Sequence, residues 1–178
     1  MFQADTKVPL KTSLAYGLPG IGAGYMYLLL SLYVMKFSTD VLLISPVVMG
    51  LIFSASRIWD AFSDPVAGYL SDRTTLKFGR RRTWIIISCI PISIAFFAVF
   101  SPPASMQGED LDRWMMFAIL GFYSAMTLFF VPHMALGAEL SSNYHERTRL
   151  FGVRHIFYTV GSILALGSMH YLIQEEFR

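Results

Sequence analysis

Two aspartates and an arginine stand inside an otherwise apolar run, Arg57-Ile-Trp-Asp60-Ala-Phe-Ser63-Asp64-Pro65. On a helix, positions three and seven apart share a face, so Arg57, Asp60 and Asp64 form one polar stripe, continued by Gly68 and Asp72. A charge at a bilayer centre costs about 2.5–3.5 kcal/mol on insertion scales, so three unpaired, lipid-facing charges would cost about 8–10 kcal/mol. The stripe must therefore face protein or a water-filled cavity. Carboxylates one turn apart can converge on a hard cation, which wants oxygen ligands. A proton would need only one of them. The rival reading is structural: Arg57 pairs with Asp60 and locks helices together, while Asp64 has no equally obvious partner. Pro65 removes a backbone donor and frees the carbonyl of Ala61 near Asp64, which could kink the helix or add an ion ligand.

The surrounding chain is composed to hold such a stripe in a bilayer. Of 178 residues, 54% are hydrophobic and 15% charged, against about 25% charged in soluble domains. This predicts an all-α, polytopic membrane protein. Five stretches, at about 13–37, 47–70, 83–100, 114–140 and 150–172, read as spans of a hydrocarbon core ~30 Å thick at ~1.5 Å per residue. The first lacks a short apolar core followed by a small-residue cleavage site and reads as a signal anchor. Its Gly-rich half, Tyr16 to Gly24, serves either tight helix packing or an open wall for a substrate. Trp114 opens the fourth span at the depth of membrane aromatic belts.

Charge gives an orientation. Lys7, Lys11, Arg73, Lys77, Arg80, Arg81, Arg82, Arg147, Arg149 and Arg154 fall on one side, against Lys36, Arg113 and Arg178 on the other. The excess of basic residues places the N-terminus in the cytoplasm and the C-terminus outside. The run Arg80-Arg81-Arg82 reads as a topology anchor at lipid headgroups, not as a nucleic-acid site. Cys89 is the lone cysteine, so neither an internal disulfide nor a cysteine metal cluster can form. No nucleotide loop, catalytic triad or zinc spacing is present, so no enzyme activity, catalytic residue or cofactor beyond a coupling ion is expected. His133 and His155 lie at cavity depth, as hydrogen-bonded structure or substrate contacts. Glu139 and Arg147 read as ion-paired gate residues.

Three segments carry a family resemblance: Arg57 to Pro65, Gly68-Tyr-Leu-Ser-Asp72 through Gly79-Arg-Arg-Arg82, and Pro132-His-Met-Ala-Leu-Gly-Ala-Glu139 through Glu146-Arg-Thr-Arg149. With Tyr16-Gly17 and Thr39-Asp40 they resemble the glycoside-pentoside-hexuronide:cation symporters of the major facilitator superfamily, the family of melibiose permease. The resemblance implies twelve spans in two six-helix halves, with substrate near the midplane between them. This chain would then be an N-terminal half without its sixth span, working with a C-terminal half or a second copy. It implies that Asp60 and Asp64 coordinate Na⁺, Li⁺ or H⁺, with Ser63 and Thr127 at further oxygen-ligand positions. It places Gly68, Asp72, Gly79 and Arg80 in a cytoplasmic gate.

The sugar-binding positions differ from the galactoside-binding branch. That branch has aspartates opposite Gly24 and Phe130, both missing here, and its sugar-contacting arginine falls opposite His155, with Arg154 one place away. Arg57, Gly24, His133, Arg154 and His155 are thus the candidate substrate set, which could suit an anionic sugar such as a hexuronide. The expected function is cation-coupled symport of a sugar or glycoside across a plasma or inner membrane. The alternatives are a lysolipid carrier of shared ancestry, or a non-transporting membrane fragment or assembly partner.

Overall fold

The computed structural model describes residues 7–75 and 79–176, with side chains to residue 171. Lys77 and Arg178 of the charge count lie outside the described residues. Among the described residues there is no strand. Five helices follow one another among these residues: α1 (Leu10–Val41), α2 (Pro46–Arg73), α3 (Arg80–Phe100), α4 (Glu109–Glu139) and α5 (Tyr144–Glu176). The helices α1, α3, α4 and α5 are long and apolar enough to cross a membrane. The 28 residues of α2 would reach ~42 Å, but its composition sets it apart. Arg57, Asp60, Asp64, Asp72 and Arg73 all lie on it.

Most helix ends run past the apolar stretches that announce them, because polar turns extend the helix toward the headgroups. Asn143 explains the early start of α5: its Oδ1 accepts the backbone N–H groups of His145 (2.8 Å) and Glu146 (3.3 Å), the geometry of an asparagine N-cap. Near its C-terminal end α1 departs from α geometry. Thr39 Oγ1 donates to the carbonyls of Met35 and Lys36 (3.0 and 3.3 Å), competing with the backbone ladder, and Phe37–Val41 adopts π geometry. A second π turn spans Leu29–Tyr33, and Pro19 restarts the helix after Leu18. Pro65, in contrast, leaves α2 continuous.

The chain forms two compact units. In the first, residues 7–33 lie with residues 136–176, and α1 packs on α5 through small residues. A Cβ on Gly24 would strike the Tyr158 carbonyl, and one on Gly161 would strike the backbone of Ile21. Backbones this close exclude any side chain, the device by which membrane helices associate without a hydrophobic driving force. Hydrogen bonds tie the same seam: Tyr25 Oη donates to Ser168 Oγ (3.0 Å) and Ser162 Oγ to the Gly24 carbonyl (3.4 Å). At the other end of this unit Glu146 accepts the Val8 N–H (2.9 Å) and an Arg149 N–H (3.3 Å). Val8, Tyr16 and Leu150 form a small buried core there.

The second unit, residues 34–135, is centred on α4. Met115, Ile119, Phe122, Met126, Phe129 and His133 recur at three- and four-residue spacing and are all buried, so one face of α4 is the core. Met49 and Ile52 of α2, and Ile92 and Val99 of α3, are buried in the same unit. Ile86, Ile90, Ile94 and Phe97 form the opposite kind of stripe, exposed along α3. An exposed apolar stripe of this length suits contact with lipid or with further helices.

Candidate functional site

The charged stripe of α2 lies against α4. Thr127 Oγ1 donates to Asp64 Oδ1 at 2.9 Å, so two residues 63 positions apart meet at one carboxylate. One turn before Thr127, Tyr123 Oη accepts a hydrogen bond from Arg57 Nη2 at 2.9 Å. The Trp59 indole N–H donates to Ser124 Oγ at 2.7 Å. Moving along α2 from 57 to 64, the partners on α4 advance from 123 to 127. The two helices therefore run parallel, as expected when one helix, α3, returns between them.

The candidate oxygen donors lie along this seam. Arg57 Nη1 reaches Asp60 Oδ2 at 3.3 Å. Asp60 Oδ1 is buried and has no hydrogen-bond partner among the described residues. A buried carboxylate oxygen without a donor is costly unless something else satisfies it. Ser63 Oγ donates to the Asp60 backbone carbonyl at 3.5 Å. Thr127 is buried while Asp64 is exposed. The sum is two carboxylates, two hydroxyls and one guanidinium, a net charge of −1 that one monovalent cation would neutralise. All the candidate donors are oxygens, the set that suits a hard cation.

The other candidates are distributed as follows. His133 is 2% exposed, and its ring stacks on Phe129 at 5.0 Å. In the first unit His155 is exposed, with its ring parallel to that of Tyr158 at 6.3 Å, and Arg154 is half-buried. Gly24 is buried under the Tyr158 carbonyl. Arg147 Nε is engaged by the Ser141 carbonyl at 3.0 Å.

At the α2–α3 loop, Asp72 pairs with Arg81, the neighbour of the expected Arg80. Arg81 also donates to Ser71 Oγ at 2.8 Å, and the Trp84 N–H to Thr74 Oγ1 at 2.7 Å. From sequence Arg81 belongs to the topology anchor and is not paired with Asp72, and Trp84 and, on α4, Tyr123 pass unnoticed. Gly79 enters α3 at φ +93°, a conformation that favours glycine. A Cβ on Gly68 would meet Val131 at an ordinary 3.6 Å.

Such a chain, whose described residues form four long apolar helices and one that carries two carboxylates a turn apart, is an integral membrane protein. The profile of the MFS/sugar transport protein family matches residues 15–173, and the chain belongs to that family. Relatives include an uncharacterized symporter of Synechocystis sp., 34% identical over 90% of this chain and 30% of that one. The isoprimeverose transporter of Lactiplantibacillus pentosus is 29% identical, over 88% of this chain and 33% of its own length. A sodium-dependent lysophosphatidylcholine symporter of Danio rerio is 29% identical, over 76% and 25%. The chain thus spans a quarter to a third of the length of these relatives.

Proposed function

We propose that this chain serves cation-coupled symport of a sugar or glycoside, with Asp60 and Asp64 binding the coupling ion and Ser63 and Thr127 completing its oxygen shell. The observation that carries the reading is the Thr127–Asp64 hydrogen bond, which brings the α4 hydroxyl to the α2 carboxylates. The coupling ion is Na⁺ or H⁺. Arg57 and His133 on α2 and α4, and separately Arg154 and His155 on α5, are the proposed substrate-facing residues; Gly24, covered by the Tyr158 carbonyl, is a packing residue, and Gly68, Asp72, Gly79, Arg80, Glu139 and Arg147 are the proposed gate residues. Alternating access in carriers of this kind rocks one bundle against another. The proposal therefore includes a second set of helices, on a further stretch of chain or on a second copy. The membrane would be a plasma or inner membrane, with the N-terminus in the cytoplasm.

A second reading rests on the likeness to a lysophosphatidylcholine symporter: the same cation site could drive a lysolipid. Uptake of radiolabelled isoprimeverose into proteoliposomes, with a glucuronide and lysophosphatidylcholine as competitors, separates the two. Competition by the glucuronide and not by the lysolipid is the expected result. Competition by the lysolipid alone would replace the sugar reading with the second one.

A further inference from the structure

Arg57 pairs with Asp60, and a guanidinium is a natural rival of any cation for carboxylate oxygens. It is mounted on a rigid support. Tyr123 is 3% exposed, and its ring packs edge-on against Phe122, which packs in turn on Phe96. The Tyr123 hydroxyl accepts from Arg57 Nη2 at 2.9 Å, and the guanidinium carbon lies 4.6 Å from the ring centroid. One tyrosine thus engages the arginine by a charge-assisted hydrogen bond and by its π face. Toward the carboxylates, Nη1 stands 3.3 Å from Asp60 Oδ2, and Asp60 Oδ1 has no hydrogen-bond partner among the described residues. A fork-on-fork pairing would have occupied both oxygens.

We infer that Tyr123 is a positioning residue of the cation site: it holds the Arg57 guanidinium on α4, so that Arg57 offsets one negative charge without covering the Asp60 oxygen that faces the ion. This inference rests on the proposed coupling role of Asp60 and Asp64. In its absence Arg57 would settle onto the carboxylates as a built-in substitute for the coupling ion. Tyr123 acts through Arg57 and need not touch the ion itself.

The test is a calorimetric titration of NaCl into the purified full chain in detergent, with choline chloride holding ionic strength constant. Tyr123→Phe keeps the ring and its packing and removes the hydroxyl. Loss of a hydrogen bond to a charged group predicts an apparent Na⁺ affinity about tenfold weaker. In an Arg57→Gln background the same Tyr123→Phe change is expected to alter the affinity by less than about twofold, because coupled residues are non-additive. Unchanged affinity in Tyr123→Phe, or an equal loss in both backgrounds, overturns the inference. If Asp64→Asn abolishes Na⁺ binding while Tyr123→Phe leaves it intact, the coupling reading stands and this one falls. If the wild-type chain gives no Na⁺ signal, or Asp60→Asn retains it in full, the sodium reading falls and takes this one with it.

Discussion

Gly161→Ala is expected to force α1 and α5 apart and to lower the melting temperature of the purified protein by about 5–10 °C, the effect of about 2–3 kcal/mol in a chain of this size. The sign is not obvious from helix propensity, which favours alanine over glycine by about 1 kcal/mol. Space decides it. The added methyl would collide with the carbonyl of Ile21, and both the carbonyl carbon and Cα of Ile21 lie within 3 Å. A backbone cannot swing aside as a side chain can, so the helices themselves must separate. Gly152, also on α5, has nothing within 4 Å of its would-be Cβ, and Gly152→Ala should be neutral or slightly stabilising. Differential scanning fluorimetry of the pair checks both signs at once. A Gly161→Ala protein that melts with the wild type would mean that the seam is looser than its geometry.

Asp64→Asn is expected to abolish the stimulation of uptake by a Na⁺ gradient over a choline gradient. The cluster of Arg57, Asp60 and Asp64 has a net charge of −1, and the substitution leaves Arg57 and Asp60 as a neutral pair. A monovalent ion then gains no net electrostatic attraction to offset the loss of its water shell. The loss of affinity should reach about 100-fold or more, the equivalent of about 2.7 kcal/mol. Thr127→Val, which keeps the shape of a buried β-branched side chain and removes the hydroxyl bonded to Asp64, should cost about tenfold. Proteoliposome uptake under the two gradients measures both. The ordering matters, because a site built on charge must be more sensitive to the carboxylate than to the hydroxyl.

The helical, membrane-spanning architecture was legible because lipid imposes it: long apolar stretches leave few alternatives. The stripe of Arg57, Asp60 and Asp64 was legible for the same reason, since charge in that setting demands an explanation. Its partner surface was less so. Tyr123 sits in the run Gly-Phe-Tyr-Ser among many aromatic residues, and nothing in its identity separates a packing ring from one that receives an arginine. A usable signal did exist. Once Thr127 is placed against Asp64, the residue one turn earlier on a parallel helix must lie toward Arg57. The glycines of α1 posed a similar problem. Their composition fits close packing and an open wall equally well, and only the position of Tyr158 shows that Gly24 is covered. The choice of Arg81 over its neighbours in a run of three arginines depends on where the α3 helix begins, a matter of one residue. Helix starts depend on caps such as that of Asn143, a local contest that hydropathy does not register.

The most direct test of the proposed cation site needs no knowledge of a solute. Equilibrium dialysis of the purified chain against ²²Na⁺ would be run on the wild type, Asp60→Asn and Asp64→Asn under identical conditions. The proposed site predicts saturable binding of about one ion per chain in the wild type, from one cluster of net charge −1, and no saturable binding in either variant. Equal retention of ²²Na⁺ by the wild type and both variants would contradict the assignment of Asp60 and Asp64 to a sodium site.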